Sequence, residues 1–256
     1  MPPALVDLAV TGHIATITLA APDGLFDRAL SEALADVARA VADAPAVRAV
    51  IVCGTGPDFC TGWAASALAE PEGLAGLPPL AAGIEALAAI PQPTIAAVAG
   101  RAHSAGLELA LACDIRIAED GATFAMPDTA AGSAPRAGGT QRLPRAVGRA
   151  HALRLLLTGE TIDAAEARRI GLVSRVVPSG GTALLDAARA LAEAVAARGP
   201  IATRLAKEAV HRGVEMTLEQ ALRYETDLTV ILQSTADRAE GVRAFQEKRA
   251  PRFLGE

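Results

Sequence analysis

Residues 97–114, AVAGRAHSAGLELALACD, constrain the fold of this chain more than any other stretch. A short apolar strand, Thr94 to Val98, runs into a turn of small residues, Gly100 to Gly106, and a helix follows at once. That helix carries one carboxylate, Glu108, in an otherwise apolar run. Small residues let a ligand approach the backbone closely. The free N–H groups of a helix start favour negative charge. Such a segment can polarise a ligand carbonyl and hold an acid or base close to it. The residues also allow a plainer reading, a tight strand-to-helix turn with a buried, paired Glu.

The alternation of elements extends this pattern. Val6–Val10 and Ile14–Leu19 read as a hairpin around Thr11–Gly12. Ser31–Ala44 has helical periodicity, with Ser31 as a candidate cap and Pro45 as its stop. Val47–Cys53 is a short, fully apolar strand, followed by a loop over Gly54–Gly62. Residues 64–80 are weakly patterned and punctuated by Gly and Pro, so a mobile segment is expected there. Ala81–Ile90 is a helix ended by PQP. Short strands follow at Ile115–Ala118, Thr123–Met126 and Val173–Val177, with helices over 140–147, 151–158 and 164–170. After about residue 178 only amphipathic helices remain: 182–197, 201–212, 218–233 and 236–249. The pattern predicts an α/β core over 1–197 and a helical C-terminal region over 198–256. A strand–strand–helix unit recurs, which suits a spiral of stacked turns.

Composition excludes several classes. The chain is 51% hydrophobic with five Phe, one Trp and one Tyr among 256 residues, which fits closely packed helices around a sizeable core. A net charge of −5 with mixed signs gives no basic face for nucleic acid. No uncharged apolar run reaches the length of a membrane span, and the first residues do not read as a signal peptide. Cys53, Cys60 and Cys113 lack metal-type spacing and read as reduced cysteines of a cytoplasmic protein. The four His residues are scattered, so no metal site is expected.

Five segments in order resemble the crotonase, or enoyl-CoA hydratase/isomerase, superfamily. They are VIVCGTGPDFCTG at 50–62, PTIAAVAGRAHSAGLELALACDIRIA at 93–118 and AGGTQRLPRAVG at 137–148, then LLTGETIDAAEARRIGLVSRVVP at 156–178 and GVRAFQEKRAPRF at 241–253. The resemblance implies a spiral of ββα turns with a helical C-terminal trimerisation region. It implies a homotrimer or a dimer of trimers that binds an acyl-CoA thioester and stabilises its enolate. Coenzyme A is then part of the substrate, and no separate cofactor is implied. The family hosts several reactions, so the fold alone does not select one.

Carried over by position, the backbone N–H groups of Trp63 and Ala105 form the oxyanion hole, a donor pair whose single members are worth about 3–4 kcal/mol. Glu108 matches the first family carboxylate. The second is expected in a Pro-Glu pair, and Pro127-Asp128 stands there. Asp is shorter by roughly 1.5 Å of reach. Asp128 therefore works from a shifted backbone, serves another reaction, or merely caps the turn after Pro127. Two carboxylates favour addition of water to a 2-enoyl-CoA. The alternatives are enoyl-CoA isomerisation or other enolate chemistry, and an acyl-CoA binding paralogue with little activity.

Trp63 replaces a usual small residue and Ala64 a common Asp. The indole either narrows the acyl channel or packs into the core. The segment containing Ala64, Ala65 and Leu68 is implied to contact the adenine end of CoA. Lys248 matches a Lys that contacts a neighbouring subunit's CoA, and Phe245 is expected on the same helical face. The first loop, Ala21 to Phe26, lacks the family's basic residue and Asn. Ser104 is expected to cap the helix and His103 to be a satisfied turn residue. Gly138 to Gln141 are expected to position the second carboxylate.

Overall fold

The computed structural model describes residues 4–68 and 77–256. Strands β1 (Val6–Thr11) and β2 (Ile14–Leu19) form the expected hairpin, with Val6 opposite Leu19 and Gly12 at φ +61 in the turn. From β2 onward the chain winds in turns of strand, strand and helix. The first turn adds β3 (Leu25–Phe26) and α1 (Arg28–Ala42). The second holds β4 (Ala49–Gly54), β5 (Gly62–Trp63), the short α2 (Ala65–Leu68) and α3 (Leu77–Ala88). The third is β6 (Thr94–Val98), β7 (Arg101–His103) and α4 (Ala105–Ala112). The fourth is β8 (Ile115–Glu119), β9 (Thr123–Ala125), a 3-10 turn over Pro127–Ala131 and α5 (Gly139–Val147). Helix α6 (Arg149–Thr158), β10 (Thr161–Asp163), α7 (Ala164–Arg169) and β11 (Arg175–Val177) close the core.

The first strand of each turn joins one six-stranded sheet in the order β1-β2-β4-β6-β8-β11, parallel beyond the hairpin. The second strands pair among themselves, β3 with β5 and β7 with β9, and a Cys60–Ala102 bridge links the two sets. This is the spiral of ββα turns expected from the sequence. Parallel strands must be covered on both faces. Along β4, Val50 and Val52 face a core with Leu34, Ile84 and Leu107, while Ala49, Ile51 and Cys53 face α8 (Ala183–Ala196) through Leu184, Ala188 and Ala192.

Three expectations are corrected locally. Helix α1 starts three residues earlier than expected because Asp27 caps it, its carboxylate accepting from the Leu30 N–H at 2.8 Å. Ser31 instead accepts from the Gly83 N–H at 2.9 Å, where α1 and α3 cross so tightly that a Cβ on Gly83 would lie 2.4 Å from the Ser31 carbonyl oxygen. Within the 100–106 turn, 101–103 form β7, and 161–163 form β10, neither of which was expected. The expected mobility over 64–80 lies, for residues 69–76, outside the described residues.

The remaining helices are α9 (Pro200–Gly213), α10 (Leu218–Gln233) and α11 (Ala236–Gln246). Lys207 ties α9 to the core through Asp114 at 2.7 Å and the carbonyls of Ile90 and Gln92. The final residues are held by Asp237, which accepts from the N–H groups of Leu254 and Gly255. Arg48, just before β4, donates to the carbonyls of Ala196 at 3.3 Å and Phe253 at 2.8 Å. Among the described residues no helix is long and apolar enough to cross a membrane.

Candidate active site

The spiral brings two turns side by side. The loop before β5 lies along β7: Cys60 N–H donates to the Arg101 carbonyl at 3.0 Å, and His103 N–H returns a bond to Cys60 at 3.1 Å. Gly106 sits so close to this loop that a Cβ there would lie 2.0 Å from the Cys60 carbonyl oxygen. The small residues of the 100–106 stretch are thus required by backbone packing. Gly62 and Ser104 face each other, since a Cβ on Gly62 would be 3.8 Å from that of Ser104. Trp63 and Ala105, the next residue of each turn, are neighbours as a consequence. The Ala105 N–H opens α4 and has no intrahelical acceptor. The Ala64 N–H donates to the Phe26 carbonyl at 2.8 Å.

The Trp63 ring packs into the core and meets Phe26 edge-on with centroids 5.4 Å apart. This decides between its two expected placements. Its Nε1 has no hydrogen-bond partner among the described residues.

Glu108 lies on the first turns of α4 and is fully buried. Its Oε1 accepts from the N–H groups of Ala137 at 2.7 Å and Gly139 at 2.9 Å. Burial pushes its carboxyl up to about 7, and the nearby Asp128 adds to the rise, while the two N–H donors oppose it. The 137–139 turn therefore holds the first carboxylate, not the second as expected. Arg142 steadies it from the other side, donating to the Ala137 carbonyl at 2.7 Å. The sequence signal for Arg142 was its place on the helix that the glycine pair opens.

Asp128 lies in the 3-10 turn after β9 and is buried. Its Oδ1 accepts from the Ser104 hydroxyl at 2.7 Å. The expected role of Ser104 as a helix cap is therefore corrected, since it makes no side-chain cap bond to α4. Of the alternatives for Asp128, the turn cap finds no local hydrogen bond among the described residues. Glu108 and Asp128 each keep one buried oxygen, Oε2 and Oδ2, without a partner among the described residues. An unpaired buried oxygen costs about 1–3 kcal/mol or more and calls for an explanation.

His103 donates to or accepts from Thr123 at 3.0 Å, and its pKa is lowered by burial and by Arg101. Arg101 forms a two-point pair with Asp58, Nη2 to Oδ2 at 2.6 Å and Nε to Oδ1 at 3.0 Å. Beside this pair a groove of about 400 Å³ runs between the 21–24 turn and the 55–59 loop. Ala64 and Ala65 lead from Trp63 into α2, which Leu68 ends. Phe245 is 86% exposed on α11. Lys248 lies beyond the end of that helix at φ +54, so the two do not share a helical face as expected. No hydrogen bond or ion pair of the described residues joins either to the buried carboxylates. Among the described residues no group of three or more His, Cys, Asp or Glu is placed to hold a metal ion.

Comparison with known proteins gives this arrangement a family. The model of the enoyl-CoA hydratase/isomerase family matches residues 10–256. The chain belongs to that family. It is 42% identical over 247 residues to a Mycobacterium bovis protein named "Probable enoyl-CoA hydratase echA8", covering 94% of each chain. It is 39% identical over 255 residues to the (E)-benzylidenesuccinyl-CoA hydratase of Thauera aromatica, covering 98% of this chain and 99% of that one. The crystal structure of an enoyl-CoA hydratase from Bacillus anthracis superposes with a TM-score of 0.92 at 36% identity, covering 98% of this chain and 100% of that chain. The crotonase-like spiral and the placement of this chain among crotonase-family enzymes stand on these matches together.

Proposed function

We propose that this crotonase-family chain is an enoyl-CoA hydratase. The observation that carries the reading is the pair of buried carboxylates, each gripped by one oxygen and each with the other oxygen free. The thioester carbonyl accepts from the N–H groups of Trp63 and Ala105, which stabilise the enolate as charge develops on its oxygen. A water bonds through oxygen to C3 of the enoyl group while Glu108 takes its proton. Asp128 delivers a proton to C2, and one proton passing from Glu108 back to Asp128 resets the pair. A Glu108 carboxyl poised at about 7 suits proton exchange near neutral pH.

Coenzyme A enters as part of the substrate, along the side that carries Ala64, Ala65 and Leu68, and no other cofactor is invoked. Phe245 and Lys248 serve the CoA of a neighbouring subunit. A homotrimer or dimer of trimers is supported by exposed apolar residues on α9, at its C-terminal cap and on α10, among them Val210, Val214, Leu218 and Leu222. Three free, buried cysteines fit the reducing cytoplasm.

A second reading, other enolate chemistry or isomerisation, is favoured by the short reach of Asp128. The deciding assay follows loss of enoyl absorbance with crotonyl-CoA, decenoyl-CoA and (E)-benzylidenesuccinyl-CoA, with Glu108→Ala as control. Turnover that disappears in the control is expected. Acyl-CoA binding without hydration of any of the three would refute the hydratase reading.

A further inference from the structure

Ser104 holds the most unusual backbone in the site. It sits at φ +47 and ψ −114, a region that L-residues rarely occupy. Two other residues hold it there through backbone hydrogen bonds. Its N–H donates to the Ala125 carbonyl at 2.9 Å, and its carbonyl accepts from the Glu108 N–H at 3.0 Å. A glycine would take this conformation without strain. A strained residue persists only where its surroundings over-determine it, and such residues gather at functional sites.

What a glycine would lack is the hydroxyl. That group is nearly buried and donates to Asp128 Oδ1 at 2.7 Å. It leaves Asp128 Oδ2 as the oxygen without a partner among the described residues. Asp has only two side-chain torsions, so fixing one oxygen fixes the direction of the other.

We propose that Ser104 is a positioning residue, whose hydroxyl aims the short Asp128 carboxylate at the substrate and whose backbone strain is retained for that purpose. The inference rests on the reading of Asp128 as the proton donor. It also accounts for how an Asp serves where its reach is limiting: the residue that opens the oxyanion turn holds it in place. The same residue therefore links the two halves of the chemistry, the donor Ala105 on its C-terminal side and the carboxylate at its hydroxyl.

The test compares Ser104→Gly and Ser104→Ala with the parent chain. Both are expected to lower kcat by between about tenfold and a hundredfold, the scale of a misplacement of up to about 1 Å, with KM nearly unchanged. Ser104→Gly is also expected to melt at a higher temperature than Ser104→Ala, because both lose the hydroxyl and only glycine relieves the strain. Equal melting of the two variants would overturn the claim that the backbone at this position is strained. An unchanged kcat in both variants, with the parent active, would overturn the inference and leave the hydratase reading intact. A further arm needs no turnover. The melting shifts of Ser104→Ala and Asp128→Asn should fail to add in the double variant. Additive shifts overturn the inference, whereas a parent inactive on every enoyl-CoA overturns only the hydratase reading.

Discussion

Replacing Glu108 by Gln should make the protein more stable at alkaline pH and no more stable at acid pH. The carboxyl sits in a dry site and its folded-state pKa is about 7, against an ordinary value of 4.5. A raised carboxyl pKa means that the folded state prefers the protonated form. The associated stability is fully present below about 4.5 and is lost as pH rises through about 7. The displacement is about 2.5 pH units, and each unit is worth 1.36 kcal/mol, so ionised Glu108 costs about 3 kcal/mol. Gln keeps the acceptor that meets the Ala137 and Gly139 N–H groups and carries no charge. Thermal melts of both proteins from pH 4.5 to 8.5 check this. The variant should melt on the order of 6–12 °C higher at pH 8.5, with the gap closing towards pH 4.5. Hydration should be abolished at every pH. A gap that does not change with pH would refute the account of Glu108 as a carboxylate destabilised by burial.

Two further substitutions separate backbone from side-chain roles. Trp63→Ala should cost about 3–5 kcal/mol in urea unfolding through loss of the ring packed on Phe26, and Trp63→Phe much less. Trp63→Phe should keep kcat, because the donor in use is the backbone N–H; a large kcat loss with unchanged stability would place the indole in the chemistry. Gly139→Ala puts a Cβ 2.7 Å from Pro135 Cβ and 3.1 Å from Glu108 Oε1. It should cost about 1–3 kcal/mol in urea unfolding and lower turnover sharply, and a neutral result would refute the tight fit of the 137–139 turn.

The strands and helices with strong periodicity were legible in the sequence, because each is fixed by contacts along its own length. The hairpin of β1 and β2 and helix α10 run as their patterns predict. The elements that were not legible depend on partners far along the chain. Thr161–Asp163 becomes a strand only because Phe124 and its neighbours lie alongside. Ser31 and Ser104 both carry the composition of a cap, yet each hydroxyl is claimed by a distant group, Gly83 in one case and Asp128 in the other. Glu108 and Asp128 were located by motif. Their partners follow from tertiary folding and could not be read from spacing. The grip of Ala137 and Gly139 on Glu108 spans 29 and 31 residues.

The reach of Arg48 has a consequence for synthesis. Its guanidinium closes onto the carbonyl of Phe253, 205 residues later in the chain. At about 5–20 residues per second, roughly 10–40 s separate the making of the two residues. Throughout that interval the start of β4 carries a cation whose partner at Phe253 does not yet exist. The Arg48–Phe253 contact at the start of β4 therefore forms only after a further 205 residues have been made. A chain stalled before Phe253 would leave that seam open to chaperones and proteases.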